Sequence, residues 1–423
     1  MSHEPFDIER QSGSQDLRAG LVEELRAGGS IRTIGVATAF AEVPRELFIP
    51  EVAAEQGLEA IYRDEAYVTK KDAQGMPLSS SSQPAMMAQM LELLDLAPGQ
   101  RVLEIGSGTG YNAALLSRLV GPSGHVTTIE VDPAIAARAG RALRDVAMPV
   151  EVAVGDGRVG MAVGAPYDRI IVTASAESIP AAWSEQLVDE GRLVVPLRLD
   201  PDGDAFQLIP AFCRRGSALT ASESTWGGFM PLHDGEGASQ APKASLSAAL
   251  RTNERHASLV DVTGSGLERL SEAAARRLVV ALLDGARPPK ARSTTSLVSG
   301  HTPGVLIYLM VRIPAPRRIW IRHAGRCGVG MLDVRRAGVA AVTVPNVWEL
   351  EPAKASQARW RLEGWGDGGV AAELERLVTD WQTLQRERRD RLEIAAHPAG
   401  ETMRLSFSWL DRRSASARKA ASA

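Results

Sequence analysis

The sequence predicts an α/β protein: a Rossmann-like, doubly wound parallel sheet followed by a second, α+β unit. Three observations carry this reading. They are the run RVLEIGSGTGYNAALLS from Arg101 to Ser117, three further apolar strands that each end in polar residues, and a change of pattern after Leu232. In the first run, Val102 to Ile105 reads as a buried parallel strand, and the backbone must then turn sharply for a helix to start near Tyr111. Gly106, Gly108 and Gly110 let that turn reach dihedrals costly to other residues and let a ligand lie on bare backbone.

The next strand, HVTTIEVDP, brings Glu130 and Val131 about twenty residues past the last glycine, where doubly wound folds place the acid that holds ribose hydroxyls. VEVAVGDG then sets Asp156 between Gly155 and Gly157. An acid there accepts a bond from an adenine amino group or closes a turn. PYDRIIVTAS carries Thr173, Ala174 and Ser175 at the carboxyl end of the fourth strand. Ligands of open α/β sheets bind outside those ends, so four strand ends converge on one crevice.

A glycine turn alone also serves NAD or FAD, or no ligand at all. Here the spacing is ExGxGxG, with Glu104 two residues ahead of Gly106 and Ser107 inside the turn. Diphosphate loops use a helix amino end to neutralise phosphate. A carboxylate beside the turn repels phosphate and attracts an ammonium. S-adenosylmethionine carries an amino group, a sulfonium and no phosphate, so charge favours it over NAD. A binding module without turnover and a nicotinamide oxidoreductase are the readings from other classes.

From Val43 to Leu197 the chain resembles the protein L-isoaspartate O-methyltransferase family. The likeness is carried by VPRELFIP (Val43 to Pro50), SSSSQPAMMAQMLELLDLAPGQRVLEIGSGTGY (Ser79 to Tyr111), GDG (Gly155 to Gly157), and PYDRIIVTAS followed by EQLVDEGRLVVPL. The resemblance implies a class I S-adenosylmethionine-dependent methyltransferase with a seven-stranded sheet whose last strands form an antiparallel pair. It also implies cofactor contacts from Glu104, Gly106, Gly108, Glu130 and Asp156, with Ser82 and Gln83 near the transferred methyl. To these the strand ends add Ser107, Gly110, Val131, Gly155, Gly157 and Thr173.

Repair enzymes of the family usually carry GQTISQP, whereas this chain has PLSSSSQP after the polar insertion TKKDAQGMP. That serine-rich version, with WGGFMPL at Trp226 to Leu232 and a long carboxyl extension, resembles an actinobacterial branch associated with modified ribosomal peptides of the lanthipeptide or graspetide type. In that branch an aspartate of a precursor peptide is methylated, and the ester collapses to aspartimide or isoaspartate. Peptide tailoring is therefore the leading expectation, and repair of isoaspartyl proteins the alternative. A substrate carboxylate is already ionised, so no general base is needed. Ser82 is the candidate for orienting it and Gln83 for supporting the loop, while the bland reading of Ser82 is a cap on the helix starting at Pro84.

Composition bounds the rest. A chain of 423 residues with 44% hydrophobic content fills two cores. A net charge of -3 gives no basic field for nucleic acid. Cys213 and Cys327 lack metal spacing and read as reduced thiols of a cytoplasmic protein, so no metal is expected. VLIYLMV, one of the longest apolar runs, is too short to span a bilayer. The expected organisation is a disordered segment 1–15, a catalytic domain 16–234, a linker 235–247, an α+β domain 248–410 and a loose tail 411–423. Helices are expected at Leu17 to Arg26, Thr33 to Phe48, Leu267 to Leu283 and Gly369 to Arg389. In the second unit, strands are expected at Gly304 to Ile313, Ile319 to Arg322, Val339 to Val344, and a closing pair at Leu392 to Ala396 and Arg404 to Trp409. Recognition of a precursor peptide is the favoured role for this unit, with RRIWIRHAGR as a basic segment, against dimerisation or simple stabilisation. Of the histidines, His125 reads as structural and His233 as the one near the crevice; none is assigned to catalysis.

Overall fold

The computed structural model describes residues 5–198, 207–232, 260–283, 304–345, 361–383 and 392–409, apart from short breaks at 74, 76, 265–266, 270, 315–316, 324–325, 336–337 and 367. The linker expected at 235–247, His233 and the tail lie outside these residues. The chain divides into two compact units: Met1–Leu197, Leu208–Ala238 and Ile394–Ser406 form the first, and the rest forms the second.

The first unit opens with α1 (Pro5–Ala27), α2 (Ile34–Glu42), α3 (Pro50–Gln56) and α4 (Leu58–Ile61). Helix α1 starts at Pro5, well ahead of the expected Leu17 and inside the segment expected to be loose. The helix expected over Thr33 to Phe48 is cut at Glu42. Val43 precedes Pro44 and is extended (φ -88°, ψ 115°), as a residue before proline prefers, so only a 3-10 turn, Arg45–Leu47, follows. At the start of α2, Thr33 Oγ1 accepts from Val36 N, and the buried Glu92 accepts from the amides of Arg32 and Thr33 at 2.8 Å each.

A hairpin of β1 (Tyr67–Lys71) and β2 (Pro77–Ser81) leads to α5 (Pro84–Leu94). Alternation then follows the expected order: β3 (Arg101–Ile105), α6 (Tyr111–Val120), β4 (His125–Glu130), α7 (Pro133–Asp145), β5 (Val150–Val154) and β6 (Tyr167–Val172). The chain continues through β7 (Ile179–Pro180), α8 (Ala181–Glu185), β8 (Leu187–Val194), β9 (Leu197–Arg198), β10 (Gln207–Arg215) and β11 (Ala218–Gly227). β3 pairs in parallel with β4 and β6, burying Val102, Leu103 and Ile105 on both faces. This places the end of β3 at the centre of the sheet.

The sheet order is β5-β4-β3-β6-β8-β10-β11, the expected seven strands, with β10 antiparallel to β8. It does not stop there. β17 (Leu392–Ala399) and β18 (Thr402–Trp409), the expected closing pair of the second domain, continue the sheet past β11 to β7, and β9 joins at β10, giving eleven strands. Leu219, Thr220 and Ala221 face Ala396, Ala395 and Ile394 in antiparallel register, so this hairpin completes the first unit's sheet instead. The alternation that marks both strands in the sequence says nothing about which edge they join.

In the second unit β12 (Val260–Thr263), β13 (Arg318–His323), β14 (Arg326–Asp333), β15 (Gly338–Pro345) and β16 (Arg361–Trp365) form an antiparallel five-stranded meander. Among the described residues three helices belong to it: α9 (Glu272–Leu283), α10 (Gly304–Arg312) and α11 (Gly368–Thr383). This is an α+β arrangement. Gly304 to Ile313, expected as a strand, is helical over Gly304–Arg312, because Leu306, Leu309, Met310 and Ile313 fall three and four residues apart and bury one face. The intervening apolar residues hide that spacing in the sequence.

Ile394 is 1% exposed in the completed sheet. Ile394→Ala is expected to lower unfolding stability by about 2–5 kcal/mol in urea titrations, the usual range for emptying a buried aliphatic site.

Candidate active site

Gly106, Gly108 and Gly110 have φ of 98°, 51° and 88°, all left-handed, so side chains are strained at each. A Cβ on Gly106 would also lie 2.5 Å from Thr173 Oγ1, and one on Gly110 would lie 3.3 Å from the backbone of Ala139. Thr173 fastens the turn from the neighbouring strand: its hydroxyl donates to Gly106 O at 2.6 Å and Ile105 O at 3.0 Å.

Glu104 is 0% exposed. Its Oε1 accepts from Asn112 Nδ2 at 2.7 Å and its Oε2 from Thr128 Oγ1 at 2.6 Å, and Ser107 Oγ lies 2.8 Å from the same Thr128 hydroxyl. The carboxylate thus ties β3 to α6 and β4, and both oxygens are bonded inside the protein. The direct ammonium contact expected of it does not follow from this placement. Burial pushes the Glu104 carboxyl up to about 7, against the lowering bonds from Thr128 and Asn112 and with added repulsion from Glu130.

Glu130 lies at the end of β4, its Oε2 accepting from Gly108 N at 3.1 Å and its Oε1 from Asp132 N at 3.2 Å. A carboxylate has further lone pairs for ribose hydroxyls. Val131 is half-buried beside it. Asp132 caps α7 through Ala134 N and Ile135 N and meets Lys70 Nζ from β1. Asp156 closes the turn that follows β5: it accepts from Arg158 N at 2.9 Å and pairs with the Arg158 guanidinium, whose bonds hold its carboxyl below the usual range. Of the two roles expected for Asp156, the turn is the one the geometry displays. Gly155 N donates to Glu130 O at 2.9 Å, and Gly157 sits so close to Ile105 that a Cβ would be 2.4 Å from its Cγ2.

The serine strand borders this turn. An ideal Cβ on Gly108 would be 3.5 Å from Ser80 O and 3.9 Å from Ser79 Oγ, so residues far apart in sequence share one wall. Ser79 and Ser81 are buried, and Ser82 and Gln83 half-buried. Gln83 occupies the N-cap of α5 with no side-chain cap bond, which leaves Ser82 outside the capping role of its bland reading. The helix end is satisfied from elsewhere: Asp64 Oδ1 accepts from Ala85 N at 2.7 Å and Asp64 Oδ2 from Gln83 Nε2 at 2.8 Å. Opposite, WGGFMPL runs past the end of β6, with Ser175 N donating to Met230 O at 2.8 Å and Leu232 N to Ser175 O at 2.9 Å.

Two residues missed by sequence reasoning hold the serine corner. One is Asp64. The other is Arg45 of VPRELFIP, 0% exposed, whose Nη1 donates to Ile61 O at 2.8 Å and Arg63 O at 3.3 Å. Its Nη2 donates to Glu65 O at 2.9 Å, Ser82 O at 3.0 Å and Ser81 Oγ at 3.4 Å, and the guanidinium lies 5.5 Å from the Tyr67 ring. The motif marks Arg45, but nothing local says that it points inward.

A glycine turn at the centre of a parallel sheet, flanked by carboxylates at two strand ends, suits a phosphate-free cationic nucleotide and defines a class I S-adenosylmethionine-dependent methyltransferase. The family model for protein-L-isoaspartate(D-aspartate) O-methyltransferase matches residues 16–237, just over half of the 423, and the chain belongs to that family. The protein-L-isoaspartate O-methyltransferase of Ignicoccus hospitalis is 40% identical over 226 residues, covering 52% of this chain and 100% of that protein. Its counterpart in Methanoregula boonei is 42% identical over 221 residues, covering 51% and 93%. A solved protein-L-isoaspartate O-methyltransferase structure aligns at TM-score 0.49 and 24% identity, over 92% of this chain and 99% of that one. No helix among the described residues is long and apolar enough to cross a membrane.

Two outcomes test this geometry. Because the folded carboxyl of Glu104 holds its proton up to about 7, against a usual 4.5, the folded state binds more protons between those values and loses stability as pH rises through them. Glu104→Gln keeps the shape, so its stability relative to wild type should rise by on the order of 2–3 kcal/mol between pH 5 and pH 8 in urea titrations. Arg45→Lys cannot reach the same carbonyls and is expected to cost at least about 2 kcal/mol in the same measurement.

Proposed function

We propose that the protein methylates the free carboxylate of isoaspartyl residues in damaged proteins, as a repair enzyme. The observation that carries this reading is the serine corner beside the glycine turn, on a chain that matches isoaspartate methyltransferases over residues 16–237. Peptide tailoring rests on PLSSSSQP, WGGFMPL and the long carboxyl extension, and the relatives above fit the repair alternative better.

The residues present fit the cofactor: bare backbone at Gly106 and Gly108, and the carboxylates of Glu130 and Asp156 for ribose hydroxyls and an adenine amino group. When bound, S-adenosylmethionine supplies a methyl group on a positively charged sulfur. The protein's part is alignment. The substrate carboxylate arrives ionised, so no side chain has to take a proton from it. Ser82 donates its hydroxyl to one carboxylate oxygen and thereby aims the other, a positioning effect that contributes up to roughly 7–11 kcal/mol where geometry is ideal. Arg45 fixes the backbone on which Ser82 sits. In the methyl ester so formed, the next backbone nitrogen attacks the carbonyl carbon, loses its proton and expels methanol, closing an aspartimide; that step needs no group from the enzyme.

Radiolabelled methyl transfer to a generic isoaspartyl peptide, to its aspartyl isomer and to a ring-containing precursor peptide tests this. Transfer to the isoaspartyl peptide with little to the other two is expected, whereas transfer to the precursor peptide alone would restore tailoring. Ser82→Ala should lower kcat at least tenfold while S-adenosylhomocysteine affinity, read by calorimetry, stays within twofold.

A further inference from the structure

We propose that Asp64 is a positioning residue that fixes the polarity of the Gln83 amide, so that Gln83 offers its oxygen to a backbone N–H of the substrate peptide. This rests on the isoaspartyl reading above and deepens it by naming how the chain beside the modified residue is gripped.

The inference starts from donors and acceptors. Asp64 Oδ1 receives the amide N–H of Ala85, and Asp64 Oδ2 receives Gln83 Nε2. A carboxylate only accepts, so Gln83 can turn nothing but its NH2 group toward Asp64. The other end of the amide, Oε1, is turned away. Gln83 is half-buried and follows Ser82 directly, three residues past Ser80, whose backbone borders the glycine turn. An oxygen presented there selects a donor. An extended peptide whose isoaspartyl carboxylate lies at Ser82 has backbone N–H groups on either side, and every sequence except X-Pro carries them. Recognition through such a group suits an enzyme that must accept many sequences.

Asp64 itself has little freedom to move. The segment that bears it is pinned by Arg45 through the carbonyls of Ile61, Arg63 and Glu65, and Arg45 also holds Ser82 O. One guanidinium thus sets both the carboxylate that polarises Gln83 and the backbone beside it.

Asp64→Asn is the discriminating variant. Its oxygen keeps the bond from Ala85 N, so its NH2 takes the place of Oδ2, and Gln83 must flip to present Oε1 to it. The site then meets a donor where it had an acceptor, with no change of shape. For wild type, N-methylation of one amide flanking the isoaspartyl residue should raise KM at least tenfold. For Asp64→Asn, KM for the unmodified peptide should rise at least tenfold and the same N-methylation should add nothing. In the variant, kcat, S-adenosylhomocysteine affinity and thermal midpoint should stay within twofold or a few degrees. Equal N-methyl penalties in both proteins, or an unchanged KM in the variant, would overturn the proposal. A readout independent of turnover is hydrogen exchange of the Gln83 side-chain NH2 by NMR, slow in wild type and faster in Asp64→Asn; equal rates would also overturn it. Absence of transfer to any isoaspartyl peptide by wild type would instead sink the repair reading, leaving the exchange measurement to decide the role of Asp64.

Discussion

One buried cation organises the corner around Ser82. Among the described residues no carboxylate bonds Arg45; it is held by the carbonyls of Ile61, Arg63, Glu65 and Ser82 and by one serine hydroxyl. Burial is the strongest influence on it and lowers its affinity for a proton, yet an arginine stays charged because its intrinsic basicity is so high. The carbonyls it binds lie at the end of α4, in the irregular stretch that follows it and just past β2, where the regular ladders stop. The four N–H groups on its two terminal nitrogens reach acceptors on several segments at once, which no other side chain can do.

The glycine turn is built on a different plan. There the backbone itself makes the surface, and side chains act from behind it: Thr173 and Ser107 fasten the turn, and Glu104 is sunk beneath it. Glu130 at the end of β4 adds a carboxylate that accepts from Gly108 N within the turn. Because methyl transfer to a carboxylate needs no proton moved, neither wall has to supply an acid or a base. Both are therefore free to be rigid, and rigidity is what in-line transfer rewards.

Much of this was legible in the residues. Strand, glycine turn and helix are local events with strong local signals, so β3, β4, β5 and β6 fell where the apolar runs put them. The acids at strand ends were equally readable as residue types. Their directions were not: both oxygens of Glu104 are taken by Asn112 and Thr128, and Asp156 pairs with Arg158 of its own turn, facts fixed by neighbours from other elements or by a rotamer. Asp64 gave no signal because it sits in an irregular loop and matters through a helix that begins twenty residues later. The run GVLIYLMVRI misled because a short stretch that is apolar on every side fits a strand and a buried helix alike. Above all, the partner of the closing hairpin was invisible, since pairing between Ala221 and Ile394 is a property of the whole chain.

That hairpin bears on how the enzyme is made. Ala221 meets Ile394 only after about 170 more residues have left the ribosome, a wait of roughly 10–35 s at typical translation rates. Throughout it, β11 stands as an open strand edge able to pair with another nascent copy. Slow or paused translation of the second unit should thus act on the yield of active methyltransferase, even though the residues being translated lie outside the site. Chaperone supply and codon choice late in the message, rather than changes near the glycine turn, are where production of this protein is most easily won or lost.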